Sequence, residues 1–249
     1  MAKHQAVGVD IGGTGIKAAL VDVAHGALIG DRVRVATPQG AKPEDVLGAV
    51  REVLDTLEIT DQRISLGVAF PAIVKHGRTM SASNVSDDWI GFEAERFFED
   101  GLGRDIAFTN DADAAGIAEA RYGAARGKDG LVILTTLGTG IGSAFLYDGA
   151  LIPNTELGHL RHDGESIERW AAYSAKERDN LDWDAWAQRL QEFYSHIEFL
   201  FSPDLIVVGG GVSKHAHAFL PLLRLRTPIV PAVHRNAAGI IGAASLSHG

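Results

Sequence analysis

The tetrapeptide Gly13-Thr14-Gly15-Ile16 returns half a chain later as Gly138-Thr139-Gly140-Ile141. Each copy is followed by a second shared tetrapeptide, Gly26-Ala27-Leu28-Ile29 in the first half and Gly149-Ala150-Leu151-Ile152 in the second. An ordered pair of motifs repeated at half the chain length points to two similar domains. Coincidence is the competing explanation, because Gly-Thr pairs are cheap in a chain with 29 glycines. The flanks argue against it. Short apolar runs lie on both sides of each copy, at 6–10 and 16–21 and again at 131–137 and 142–147. Each copy is therefore predicted to be the glycine turn of a β-hairpin. Glycine lets a backbone approach a ligand closely, threonine adds a hydroxyl, and successive N–H groups form an anion nest. Two such turns facing across an interdomain cleft would grip a chain of phosphates from both sides.

The rest of the chain alternates helix and strand signals, which places it in the α/β class. Val46, Leu47, Val50, Val53, Leu54 and Leu57 recur at helical spacing after Pro43. Apolar runs at 66–70, stopped by Pro71, and at 106–109 read as strands. An alanine-rich helix with acids in its first turn starts at Asp111. Trp183, Trp186, Ala187, Leu190, Phe193, Tyr194, Ile197 and Leu200 make one face of a long helix that Pro203 ends. A strand at 205–208 runs into Gly209-Gly210-Gly211, and a last alanine-rich helix covers about 236–246. The expected division is a smaller domain of residues 1–109 plus about 235–249, carrying the first hairpin, and a larger domain of residues 110–234, carrying the second.

Composition excludes several chemistries. There are no cysteines, so disulfides, thiolate zinc sites and cysteine nucleophiles are ruled out. A formal net charge of −9 speaks against nucleic-acid binding and requires any phosphate site to be built locally. No leader-like apolar stretch opens the chain, and the uncharged run 130–147 carries threonines and glycines suited to strand–turn–strand rather than a membrane span. A cytoplasmic protein with no membrane partner is expected. The first glycine turn leads into a strand instead of a helix, so the dinucleotide-binding fingerprint fails. No glycine loop ends in a Walker lysine followed by serine or threonine, which argues against a P-loop kinase.

Asp10-Ile11-Gly12-Gly13-Thr14-Gly15-Ile16-Lys17 resembles the first phosphate motif of the ROK group of sugar kinases. Leu137-Gly138-Thr139-Gly140-Ile141-Gly142 resembles the second, and Gly209-Gly210-Gly211 the third, on the adenosine side. Asn110-Asp111 and Glu156-Leu157-Gly158-His159 are similar to the group's catalytic and sugar-binding elements. Within the group, the segments 148–159, 183–190 and 226–232 are similar to those of the polyphosphate glucokinases. The resemblance implies a two-domain actin/hexokinase (ribonuclease H-like) fold with a duplicated core and an interdomain cleft. It also implies phosphorylation of the 6-hydroxyl of glucose, with mannose as a second acceptor, from polyphosphate or ATP with Mg²⁺, in a homodimer. A strictly ATP-dependent hexokinase and a non-catalytic sugar-sensing regulator are the alternatives. Two features depart from the group. The cysteine-rich zinc site that many members share with the histidine of the E-x-G-H motif is missing, so no structural zinc is expected. The loop Phe70-Pro71-Ala72 has alanine where glycine is frequent.

Phosphoryl transfer needs a base, an oriented hydroxyl and charge stabilisation. The resemblance assigns the base to Asp111, whereas local sequence alone reads it equally as a helix cap. Asp10 is assigned to Mg²⁺ through water, against a plain turn-forming aspartate. Lys17 faces either phosphate or solvent. Gly12, Gly13, Thr14, Gly15, Gly138, Thr139, Gly140, Gly142, Gly209, Gly210 and Gly211 are the expected phosphate contacts. Asn84, Asn110, Asp111, Glu156, His159 and Glu168 are the expected sugar contacts, a set of amides, carboxylates and an imidazole suited to hydroxyl groups. Arg121, Arg126, Lys128, Lys176 and Arg178 are candidates for a polyphosphate track, against the usual reading of such charges as a solvated surface.

Overall fold

The computed structural model describes residues 4–59, 61–82 and 84–248. The chain forms two compact units, Met1–Ala118 with Ala237–Gly249, and Glu119–Asn236. The seam thus falls inside the helix Asp111–Tyr122, not ahead of Asn110, so Asn110 and Asp111 fold with the first unit.

Each unit is built on a five-stranded mixed sheet, and the two sheets have the same plan. In the first unit the order is Ala27–Val35, Gly15–Asp22, Gln5–Gly12, Ser65–Phe70, Ala107–Asn110. In the second it is Ala150–Ile152, Ile141–Tyr147, Leu131–Leu137, Leu205–Gly209, Ile229–Pro231. The first three strands of each sheet are antiparallel and the last three parallel. The GTGI and GALI echoes occupy equivalent places. Each GTGI turns the first strand into the second. Each GALI begins with a left-handed turn glycine, Gly26 (φ 65°) or Gly149 (φ 80°), and continues as the edge strand. The two GTGI turns differ in length. Gly12 pairs with Gly15 across a two-residue loop, while Leu137 pairs with Ile141 across a three-residue one.

The edge strand Ala27–Val35 lies outside the strands expected from hydrophobicity. Most of it is exposed, and Asp31, Arg32 and Arg34 give it a polar character, a usual way of blunting a sheet edge. Behind the first sheet, the helix Pro43–Thr56 buries Val46, Leu47, Val50 and Val53. Trp89, fully buried, stacks on Phe98 at 5.8 Å and gives its indole N–H to the Ala41 carbonyl at 2.8 Å. In the second unit Trp186, Leu190, Phe193, Tyr194 and Ile197 of the helix Trp183–Phe201 join Ile133, Ile206 and Val208 in one core. The Tyr194 hydroxyl stays paired inside it with Thr135 at 2.8 Å.

The last helix, Ala238–Ser247, lies unusually close to the first sheet. A Cβ placed on Gly8 would stand 1.9 Å from the Ile240 carbonyl oxygen, and one on Gly67 1.9 Å from that of Ala243. The same helix meets the helix Asp111–Tyr122 at Gly242, where a Cβ would stand 1.7 Å from the Ala114 carbonyl oxygen. Backbone packs on backbone at these crossings, so the helix that begins with Asp111 is pinned without intervening side chains. Gly67→Ala is expected to cost about 1–3 kcal/mol or more through overpacking. Gly48→Ala, at a helical position with nothing within 4 Å, is expected to raise stability by about 0.5–1 kcal/mol. Thermal denaturation of the two variants side by side checks both signs.

Candidate active site

In the first unit three adjacent parallel strands, Gln5–Gly12, Ser65–Phe70 and Ala107–Asn110, end on the same side. Carboxyl ends of parallel strands are where α/β folds present ligand-binding groups. Here they deliver Asp10, the Pro71-Ala72 loop and Asn110-Asp111. Asp10 pairs across to Ala69 and Ala69 to Thr109, so Asp10 lies two strands from Asn110-Asp111, roughly 10 Å in the sheet direction. A cavity of about 350 Å³ bounded by Arg63, Ser65, Arg104 and Ser247 lies at the opposite, amino-terminal ends of these strands and gathers none of the motif residues.

The helix cap at this edge is Asn110, not Asp111. Asn110 is buried, and its Oδ1 accepts from the backbone N–H of Ala112 at 2.8 Å and of Asp113 at 3.0 Å. Its Nδ2 donates to the Ala72 carbonyl at 3.0 Å, which ties the cap to the neighbouring loop. Asp111 is the first helical residue, half-buried, with Oδ1 accepting from the Ala112 N–H at 2.8 Å. A helix N-terminus favours negative charge at that position.

Lys17 is only partly exposed and is engaged by a carboxylate. It sits directly across the ladder from Asp10, and its Nζ donates to Asp10 Oδ2 at 3.0 Å. The turn itself is exposed at Gly13 and Thr14. Arg34 holds it from the edge strand by donating to the Thr14 carbonyl at 2.8 Å, and Thr37 donates to that of Gly12. A Cβ on Gly13 would lie 2.7 Å from Asn84 Cβ. The structure therefore brings Asn84 against the first glycine turn, on a segment fixed by the buried Trp89.

In the second unit the loop Gly138–Gly140 is held from two directions. On one side Gly210, in a left-handed conformation at φ 80°, abuts it; a Cβ there would stand 2.4 Å from the Leu137 carbonyl oxygen. The triad Gly209-Gly210-Gly211 and the second hairpin thus converge at the carboxyl ends of neighbouring parallel strands. On the other side Ser174 donates its N–H to the Gly138 carbonyl at 3.0 Å and its hydroxyl to that of Thr139 at 2.6 Å.

Glu156, His159 and Glu168 come together beside this loop. Glu168 Oε2 accepts from the Ile141 N–H at 3.0 Å, and its Oε1 lies 3.9 Å from His159 Nε2. Cβ atoms on Gly140 and Gly158 would fall 2.4 and 3.1 Å from Glu168 Oε2, so both glycines make room for that carboxylate. The Glu156 loop is fastened to the hairpin by Ser143, which no sequence motif singled out. Its hydroxyl donates to the Thr155 carbonyl at 2.8 Å and accepts from the Leu157 N–H at 3.0 Å. Burial pushes the Glu156 carboxyl above its ordinary value; His159 opposes that shift and Glu168 adds to it.

Two of the proposed track cations are engaged in holding the chain. Lys176 donates to the Leu181 carbonyl at 2.7 Å and lies 4.5 Å from the Trp183 ring. Arg178 binds both Asp179 oxygens and the Arg169 carbonyl. Arg121, Arg126 and Lys128 are exposed around the end of the helix Asp111–Tyr122.

The ROK family model matches residues 6–168. The chain is 46% identical over 241 residues to the polyphosphate glucokinase of Mycobacterium tuberculosis (strain CDC 1551 / Oshkosh), which spans 96% of this chain and 90% of that one. The inorganic polyphosphate/ATP-glucomannokinase from Arthrobacter sp. strain KM is 53% identical, with a TM-score of 0.94 and 96% of each chain covered. A ROK family glucokinase from Streptomyces griseus, solved with glucose and AMPPNP, is 24% identical with a TM-score of 0.83 over 98% of this chain and 99% of that one, a likeness of fold. The expected two-domain fold of the actin/hexokinase type is thus the one found.

The raised Glu156 carboxyl has a consequence for stability. Folding favours its neutral form, so its contribution is most favourable at low pH and is lost as pH rises through the raised folded value. Glu156→Gln is therefore expected to have a higher Tm than the unsubstituted protein at pH 7.5. The gap should shrink as pH falls towards 4, with His159 and Glu168 as the other groups facing the site. Melting curves across that range read the sign directly, and a gap that widens on acidification would reverse it.

Proposed function

The chain belongs to the ROK family, and from that membership we propose that it is a sugar kinase that phosphorylates the 6-hydroxyl of glucose, with inorganic polyphosphate or ATP as donor. The observation that carries this assignment is the arrangement at the edge of the first sheet: Asn110 caps the helix through the Ala112 and Asp113 N–H groups, and the Asp111 carboxylate follows it at the carboxyl ends of the parallel strands that also deliver Asp10. Asp111 is the base that takes the proton of the sugar hydroxyl as it attacks phosphorus. Positioned proton transfer of this kind contributes about 10²–10⁴-fold.

The sugar is held by Asn84, Asn110, Glu156, His159 and Glu168. One N–H of the Asn110 amide is committed to Ala72, and the other is the donor it offers a hydroxyl. The exposed backbone of Gly13, Thr14 and Thr139 and the turn at Gly210-Gly211 carry donor phosphates. Arg121, Arg126 and Lys128 extend the positive surface towards a longer polyphosphate. No group of three or more His, Cys, Asp or Glu side chains is placed to hold a metal ion among the described residues. Asp10 alone fits Mg²⁺, an ion commonly bound by one or two carboxylates with phosphates and water. Mg²⁺ carried by the donor would neutralise charge on the transferred group, while Lys17 keeps Asp10 in place.

The name of the Arthrobacter relative supports mannose as a second acceptor. We place the enzyme in the cytoplasm as a homodimer. No helix among the described residues is long and apolar enough to cross a membrane.

The test is a coupled assay of the purified protein with glucose and, in separate reactions, ATP or long-chain polyphosphate. Glucose 6-phosphate is expected, and its absence with both donors would overturn the assignment. Asp111→Ala is expected to lower kcat by about 10²-fold or more while glucose affinity changes much less. Near-normal turnover would remove Asp111 as the base.

A further inference from the structure

His159 and Glu168 are the two ends of a short segment that folds back on itself. Between them, Arg161–His162 and Glu165–Ser166 form a two-stranded ladder, Arg161 opposite Ser166 and His162 opposite Glu165. The turn is Asp163-Gly164, with φ 49° and 86°, the double left-handed turn that suits a tight hairpin. Below the ladder the Ile167 N–H donates to the Leu160 carbonyl at 2.8 Å. So small a hairpin is not stable by itself in water and needs an anchor.

The anchor is His162. Its ring stacks on Trp170, with centroids 4.0 Å apart and planes 22° apart. Nδ1 lies 3.2 Å from Glu192 Oε1 on the long helix Trp183–Phe201. The side chain is only 16% exposed although its strand is at the surface. Trp170 is fixed in turn: Arg189 donates to its carbonyl at 2.8 Å, lies 5.5 Å from its ring, and pairs with Asp179 at 2.6 Å. His162 is three residues beyond His159, and Trp170 two residues beyond Glu168. The stack therefore ties the turn end of the ladder to Trp170, just past the Glu168 end of the segment.

We propose that His162 is a positioning residue: its stack on Trp170 and its contact with Glu192 lock the Arg161–Ser166 hairpin and so set the spacing of His159 and Glu168 for the acceptor sugar. The inference rests on the sugar-kinase assignment for its catalytic consequence, while the lock itself is a property of the fold. Glu168 keeps its own bond to the Ile141 N–H at 3.0 Å without His162, so loss of His162 should displace the His159 arm, reach the sugar and leave the donor alone.

The experiment compares His162→Ala with His162→Phe, which keeps a flat ring for Trp170 and loses the contact with Glu192. Amide hydrogen exchange across 157–168 is expected to accelerate by about tenfold or more in the alanine variant, since opening of this unit no longer breaks the stack. Glucose KM should rise about tenfold with kcat within about threefold and donor KM unchanged, and the phenylalanine variant should recover much of both effects. Unchanged exchange in His162→Ala overturns the lock. Accelerated exchange with unchanged glucose KM, or equal losses for sugar and donor with no rescue by phenylalanine, overturns its role in positioning. A wild-type protein that phosphorylates no glucose sinks the kinase assignment instead, and the exchange comparison still decides whether His162 holds the hairpin.

Discussion

The carboxylate of Glu168 is the contact on which the second half of the site depends. It reaches from the start of a short helix to the Ile141 N–H, the first residue of the strand that leaves the second glycine turn. On the way it passes under Gly140 and Gly158, neither of which leaves space for a side chain, and comes within 3.9 Å of His159. One carboxylate thus links the second hairpin to the Glu156–His159 loop and to its own helix. A charge-assisted bond to a backbone N–H is among the stronger hydrogen bonds available to a protein. Losing it would free the turn and the loop together. Gly140 and Gly158 serve this contact, because a methyl group on either would displace the carboxylate or be displaced by it.

The first unit solves the same problem with close backbone packing. The last helix meets the sheet at Gly8 and Gly67 and meets the helix of Asp111 at Gly242. Asn110 then fixes the start of that helix through its cap and its bond to Ala72. Asp10 is kept in register by the lysine opposite it. Asp10, Asp111 and Glu168 all stand on strands or helices, which is the arrangement precise positioning requires. Burial and the neighbouring Glu168 act against the ionised form of Glu156, a perturbation of the kind that clusters at functional sites.

Much of this was legible in the residues. The doubled GTGI and GALI motifs marked two sheets of one plan, since a turn needs glycine and a strand needs apolar neighbours, and both leave local traces. The Gly209–Gly211 triad likewise sits where a strand meets a tight turn. Other features left no such trace. The edge strand Ala27–Val35 is too polar to register as a strand, because most of it is exposed and only Val33 and Val35 pack against the core. The seam between the units falls inside a helix, and helical periodicity says nothing about which sheet a helix packs on. Local pattern could not decide between Asn110 and Asp111 as the cap, since both are good caps; only the bonds to Ala112 and Asp113 distinguish them. Lys17 was ambiguous for a similar reason, as its partner Asp10 is set by register. Ser143 and His162 act through contacts with distant segments, the kind of information that spacing along a chain does not carry.

The most direct test of the linkage made by Glu168 is a pair of calorimetric titrations of Glu168→Ala against the unsubstituted protein, one with glucose and one with a non-hydrolysable ATP analogue. If that carboxylate ties the phosphate turn to the sugar loop, both ligands should bind more weakly, each by about tenfold or more, as expected when a group supporting two contacts is removed. Weakened glucose binding with the nucleotide affinity untouched would contradict the account, and would reduce Glu168 to a sugar contact alone.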